Sequence, residues 1–287
     1  MTLGSRRMKS YVTAVASAAL GKTAAGRNVS VLPDDVFLVS YFRSGSTWAR
    51  FLLGNFIHQD EAVTFANVDR RVPSIYVWPD RVLRSLPRVM KSHECFDPRY
   101  PKVIYIVRDA RDVAVSFYYY NLKVRELPEG YPMDEFVARF IAAKTVGYAD
   151  RVGSWEDHVM SWLRMRGSRS NFLLVRYEDL LSNPARELVR LAPILGVEAS
   201  SARVERAISL SSAKEMRSLE KKQSHQWGAT KDSRKDIPFV RDAKSGGWRN
   251  KLSASSVKNI ELAWGSTMQQ LGYELTECSH ASESLKV

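Results

Sequence analysis

Cysteine is nearly missing. Cys95 and Cys278 are the only two in 287 residues, far apart and without His or Cys neighbours at metal-ligand spacing. That excludes a disulfide-stapled scaffold, offers no zinc site, and fits a reducing cytoplasm. Long apolar runs are missing too, and nothing approaches the ~20 residues that a membrane-spanning helix needs. The N-terminal stretch RRMKSYVTAVASAALGKTAAG places basic residues ahead of a short apolar segment, as an export signal does, but Thr13 and Ser17 interrupt it. Residues 1–32 therefore read as a leader or a surface amphipathic helix, with at most peripheral membrane contact. There is no repeat, low-complexity tract or block of like charge. The sequence G-x-x-x-x-G-K-[ST] is also absent, which argues against a nucleotide-dependent kinase.

What is present is an ordinary globular composition, 45% hydrophobic and 26% charged, with Lys and Arg exceeding Asp and Glu to give a net charge of +12. The positive field favours anionic partners: nucleic acid, a membrane surface or a phosphorylated small molecule. The basic residues are scattered and form no recognised nucleic-acid-binding motif, which excludes the first. Strand-like segments at 36–41, 88–93, 102–108 and 172–178 alternate with helical patterns at 48–57, 110–120, 134–145, 154–166, 184–195 and 254–271. This alternation predicts a single α/β domain over 33–275, a central parallel sheet flanked by helices, with a short tail at 276–287. Two stretches read as irregular, 59–87 and 222–253.

Three segments carry chemistry. In SYFRSGSTWARFLL (40–53) an apolar strand feeds a polar elbow and then a helix. Such a turn gathers backbone N–H groups and the positive end of a helix dipole, so it binds phosphate or sulfate. Arg43 adds charge, Gly45 admits close approach, and Ser44, Ser46 and Thr47 add hydroxyls. In VIYIVRDARDVAVSFYYY a strand ends in Arg108, and Ser116 follows on the next helix within reach of the same anion; Arg111 and Asp112 read as a surface pair. In RVMKSHECF a strand ends in Lys91, Ser92 and His93, on the sheet edge where parallel α/β folds bind ligands. Glu94, the next residue on an extended strand, points to the opposite face and reads as structural.

These segments, in this order, resemble the nucleotide-dependent sulfotransferases, which use 3′-phosphoadenosine 5′-phosphosulfate (PAPS) as donor and release 3′-phosphoadenosine 5′-phosphate (PAP). YFRSGSTW looks like that family's 5′-phosphosulfate loop, IVRDARDVAVSFYYY its 3′-phosphate segment, and KSH its Lys-Thr-His strand. RYEDL (176–180), SSAKEM (211–216) and FVRDAKSGGW (239–248) match later signatures. The resemblance spans roughly 35–275 and implies a P-loop-kinase-like sulfotransferase fold. It also implies that Arg43 and Ser44 to Thr47 bind the 5′-phosphosulfate and that Trp48 stacks near the adenine, with Tyr177 and Ser211 bordering the base. Arg108, Ser116 and Arg241 would hold the 3′-phosphate. His93 would be the general base, and Lys91 would stabilise charge on the transferring group; no metal is called for.

Departures accompany the resemblance. Arg43 stands where the family has Lys, which keeps the charge but makes a poor proton donor. The late loop reads Arg241-Asp242-Ala243 in place of Arg-Lys-Gly, leaving Lys244 as the substitute cation, and the family's adenine-flanking Phe is Ala213. These changes keep a nucleotide-binding pseudoenzyme in view as the alternative. The family's dimer motif falls on Arg249, Ser253, Ala254 and Lys258 and loses its acidic end, so the oligomeric state stays open. The acceptor is expected to be a hydroxyl on a carbohydrate, lipid, phenol or other small alcohol, walled by Tyr76, Trp78, Phe96 and Tyr119.

Overall fold

Val36–Ser40 forms strand β1 with all five residues buried, which requires a strand covered on both faces. Phe37 and Val39 enter one hydrophobic cluster and Val36 and Leu38 the other, as the two-residue period of a strand dictates. The structure is a computed structural model that describes residues 29–78, 80–83, 88–145 and 152–276. Most of the expected leader, and Cys278, lie outside these residues.

β1 pairs in parallel with β2 (Val89–Ser92) on one side and β3 (Lys102–Val107) on the other, and β4 (Phe172–Arg176) lies beyond β3. The order is β2-β1-β3-β4. The chain thus grows first to one side of β1 and then to the other, and the crevice beyond the carboxyl ends of these strands is where such sheets bind ligands. Along the chain the helices are α1 (Ser46–Ile57), α2 (Val68–Arg71), α3 (Asp80–Leu83), α4 (Ala110–Lys123), α5 (Met133–Ile141), α6 (Trp155–Arg166), α7 (Tyr177–Ser182), α8 (Pro184–Leu195), α9 (Ser201–Leu210), α10 (Ala213–Gln223) and α11 (Ala254–Gln270). α1, α8 and α9 cover one face through Leu52, Leu53, Phe56, Leu188, Leu191 and Val204. α4, α5, α6 and α11 cover the other through Val113, Phe136, Phe140, Trp155, Trp162 and Trp264. Among the described residues no helix is long and apolar enough to cross a membrane.

Some boundaries differ from expectation. The strand expected over 172–178 stops at Arg176, and Tyr177 opens α7, whose first turn carries Glu178 and Asp179 as a helix N-terminus favours. The helix expected to reach 145 stops at Ile141, because Ala143 turns left-handed (φ 53°) and the Lys144 amide donates back to the Arg139 carbonyl. α9 and α10 were not anticipated, although Ser200 and Ser212 cap them. The stretch 222–253 is irregular as expected, apart from a 3₁₀ turn at Gly247–Asn250.

Candidate active site

Beyond β1 the elbow turns on two left-handed residues, Arg43 (φ 62°) and Gly45 (φ 96°). Gly45 is obligatory, since a Cβ there would fall 2.5 Å from Cδ2 of Tyr177. Gly45 is also the N-cap of α1, with no side-chain cap and no acid in the first turn. The first amides of α1 therefore stand beside Ser46 and Thr47 at a cavity of about 780 Å³ without an internal acceptor from the cap. The same cavity is lined by Arg43, Trp48, Tyr76, Lys91, His93, Arg108, Ser116, Tyr119, Tyr177, Ser211, Arg241 and Lys244. Trp48 is fixed there by donating its indole N–H to the Ser211 carbonyl at 3.0 Å.

Three expected residues fall elsewhere. Ser44 is fully buried beneath the elbow, because the tight turn from Tyr41 points it inward, and it is not among the residues lining the cavity. Trp78 is exposed and donates its Nε1–H to the Asp69 carbonyl, which ties it to α2 and away from the cavity. Phe96 packs edge-on against Trp162 at 5.5 Å, on the far side of the strand end that carries His93. Arg111 and Asp112 are not a surface pair. Both are buried, and the helix turns them to different partners: Arg111 to Asp109 and Glu261, Asp112 to the Gly246 and Trp248 amides.

His93 is the most tightly defined of the candidate groups. Its Nδ1–H donates to the Ser40 carbonyl at 2.7 Å, which fixes the tautomer and leaves Nε2 as the acceptor nitrogen. Its backbone N–H donates to Tyr76 Oη at 2.8 Å, and its carbonyl accepts from His158 Nε2 at 3.1 Å. His158 is itself pinned, because Tyr105 Oη donates to its Nδ1 at 2.8 Å. The Tyr76 hydroxyl in turn donates a hydrogen bond to Glu94 Oε1 at 2.9 Å. Burial, with the neighbouring Lys91 charge next, pushes His93 well below the usual imidazole range, so it is neutral at neutral pH and able to take a proton. Burial and then the Arg50 charge bring Lys91 down to about 7.

Four of the cations that line the cavity share one construction: each sits on a ring. Arg43 lies 4.5 Å from the Tyr120 centroid and 4.8 Å from that of Phe239, Lys91 5.6 Å from Tyr76, Arg108 4.2 Å from Tyr177, and Arg241 4.4 Å from Tyr119. Rings support the charge without neutralising it, as a carboxylate would. Arg108 also donates to the Lys244 carbonyl and keeps a buried Nε without a hydrogen-bond partner among the described residues. Arg241 meets Asp242 at 3.4 Å. The set can hold several negative charges next to a neutral imidazole. Missed by sequence reasoning were His158, the Tyr76–Glu94 link, Asp112 and Glu220; only Asp112, in the same segment as Arg108, carried any local signal.

Residues 33–272 match the family model described as Sulfotransferase domain. Rat sulfotransferase 1E1 is 30% identical over 239 residues, spanning 77% of this chain and 79% of the relative. Mouse sulfotransferase 2B1 is 25% identical over 255 residues, spanning 83% and 72%. Among solved structures, a mouse sulfotransferase complexed with PAP superposes with a TM-score of 0.67 at 24% identity, over 88% of this chain and 91% of that one. Retinol dehydratase in a complex with retinol and PAP gives 0.71 at 20% identity, over 84% and 83%. With the family model matched over most of the chain and the elbow, the strand-end imidazole, Arg108 and Arg241 lining one cavity, the chain belongs to the PAPS-dependent sulfotransferase family, and is a sulfotransferase enzyme.

Proposed function

We propose that the protein transfers a sulfonyl group from PAPS to a hydroxyl carried on a flat, apolar ring, with His93 as general base. The observation that carries this reading is the neutral, tautomer-fixed His93 beside the Phe42 and Tyr76 rings and two cations, Arg43 and Lys91, that form no ion pair with a described carboxylate. The residues fit the nucleotide: the uncapped N-terminus of α1 suits one anion, and Arg108, with its partnerless Nε, and Ser116 suit a second. Ser46, Thr47 and the elbow amides would hold the 5′-phosphate, and Arg108, Ser116 and Arg241 the 3′-phosphate, with Lys244 close by. Trp48, Tyr177 and Ser211 would border the base. When bound, the nucleotide supplies the sulfonyl group.

This chain's residues then do the rest. Nε2 of His93 takes the acceptor's proton as the new oxygen–sulfur bond forms, a contribution of ~10² to 10⁴ in rate. Arg43 and Lys91 stabilise negative charge left on the phosphate as the old sulfur–oxygen bond breaks. Phe42 lies 4.4 Å from His93 at 34° and packs on Phe117, and Tyr76 lies 6.3 Å from His93. With Tyr119 these rings give the cavity an aromatic lining next to the imidazole, which suits an acceptor that carries an apolar ring. The test is transfer from radiolabelled donor to a panel of phenols, sugars and aliphatic alcohols, with thermal shifts for PAP and ATP alongside. Labelled phenolic product and a larger shift with PAP are expected; a shift with PAP but no transfer to any acceptor would favour the pseudoenzyme.

A further inference from the structure

Arg43 is held in a way that its part in the reaction does not by itself require. Its guanidinium lies in a corner formed by Tyr120 and Phe239, whose rings meet at 81° with centroids 6.4 Å apart. Its one hydrogen bond to a described side chain is a long one, Nε to Ser116 Oγ at 3.4 Å. Ser116 and Tyr120 are four apart on α4 and so share a face. Phe239 comes from the irregular segment after α10 and has further anchors of its own. Glu220 accepts from the Phe239 and Val240 amides at 2.6 and 2.9 Å, and Trp227 packs edge-on to the ring at 5.1 Å. No ion pair joins Arg43 to a described carboxylate, so the two rings are what locate its charge.

We infer that Tyr120 and Phe239 are positioning residues for sulfonyl transfer: they hold the Arg43 guanidinium where the donor and acceptor parts of the cavity meet, and they make arginine the cation this site requires. A planar, weakly hydrated guanidinium rests on a ring face with little loss of solvation, whereas a compact ammonium gives up strongly held water. Lysine would keep the charge at position 43 and lose its location. The inference rests on the proposed role of Arg43 in stabilising the leaving phosphate.

The experiment is a double-mutant cycle read by single-turnover rate at saturating PAPS, with PAP affinity measured separately. Arg43→Met is expected to slow transfer ~10²-fold or more, as loss of one transition-state donor does. Phe239→Leu and Tyr120→Leu are each expected to cost ~5- to 30-fold in rate, the span of a partly buried cation–π contact, with PAP affinity changed far less. Tyr120→Phe, which keeps the ring, should recover the rate lost in Tyr120→Leu. Arg43→Lys should fall by ~10-fold, and Arg43→Lys/Phe239→Leu should be no slower than Arg43→Lys, since the rings act through the guanidinium. Should Phe239→Leu fail to fold, the same cycle is run with Tyr120→Leu. Multiplying losses in the double variant, with Arg43→Met slow, would overturn the aromatic corner alone. A wild-type rate for Arg43→Met would overturn the role of Arg43 and the corner with it.

Discussion

The elbow at 42–47 takes its shape from the sheet beneath it, whereas the segment 224–246 takes its shape from charged side chains that reach its backbone. In the elbow, β1 delivers the chain to the turn and α1 carries it away, so the strand ends set where Arg43, His93 and Arg108 stand. The opposite segment has no helix or strand. Glu220 holds the Phe239 and Val240 amides, Lys123 donates to the Arg234 and Ile237 carbonyls, Arg217 donates to the Val240 and Arg241 carbonyls, and Asp112 accepts from Gly246 and Trp248. One half of the site is built by backbone pairing and the other by side chains reaching for backbone. Loss of His93 in the first half should therefore alter chemistry, and loss of an anchor that holds the second half, the contact of Phe239 with Arg43 apart, should alter the grip on the nucleotide.

The largest effect belongs to the sheet-built half. His93→Ala is expected to lower kcat by ~10² to 10⁴, the usual worth of a general base, while PAP affinity stays within a few-fold, because in the proposed reaction the imidazole meets the acceptor and not the nucleotide. Rapid-quench transfer and calorimetry measure the two. Near-wild-type turnover would move the base elsewhere.

A smaller effect is expected from Asp112→Asn in the charge-held half. The amide keeps one acceptor oxygen, loses one of the two backbone bonds and the pairing with Arg108 at 3.9 Å. The loss of one charge-assisted bond corresponds to ~10-fold or more in PAP affinity, with kcat at saturating donor little changed. If kcat falls and affinity holds, the division of labour between the halves is wrong.

The smallest effect is in the pH profile. With His93 held well below 6.5 and Lys91 at about 7, kcat/KM for the donor should rise only at acid pH and fall again through neutrality as Lys91 loses its proton. The bound donor's negative charge favours the charged lysine, so the falling limb of kcat should lie at higher pH. Lys91→Met should remove the falling limb. In the free protein the sign for stability is opposite: the unfolded lysine keeps its proton to ~10.4, so from pH ~7 upward the unfolded state binds more protons and Lys91 makes the fold more stable as pH rises.

The same contrast explains what the sequence told. The strands were legible because continuous Val, Ile and Leu runs mark buried parallel strands, and the elbow because Arg-Ser-Gly-Ser-Thr stands between a strand and an apolar-periodic helix. Lys91, His93 and Arg108 followed, each at or just past a strand end, and Ser116 on the helix after Arg108. In the charge-held half Arg241 and Lys244 were legible through the resemblance, but the anchors were not, because nothing local says that Glu220 reaches the Phe239 and Val240 amides or that Asp112 turns inward. Ser44, Trp78 and Phe96 were misplaced for a related reason: a residue's nearness to the site along the chain says little about which way a turn points it. α10 was missed although Ser212 and Glu215 stand at the spacing of a helix start.

The central claim, that the cavity holds a nucleotide by its 3′-phosphate, is tested most directly by calorimetry of PAP and of adenosine 5′-monophosphate with the wild type and Arg108→Ala. Arg108 is expected to supply a charge-assisted contact to the 3′-phosphate, so the variant should lose ~1.5 to 3 kcal/mol for PAP and almost nothing for the ligand without that phosphate. Equal losses for both ligands would contradict the account, and would leave Arg108 as a support for Tyr177 and the Lys244 carbonyl alone.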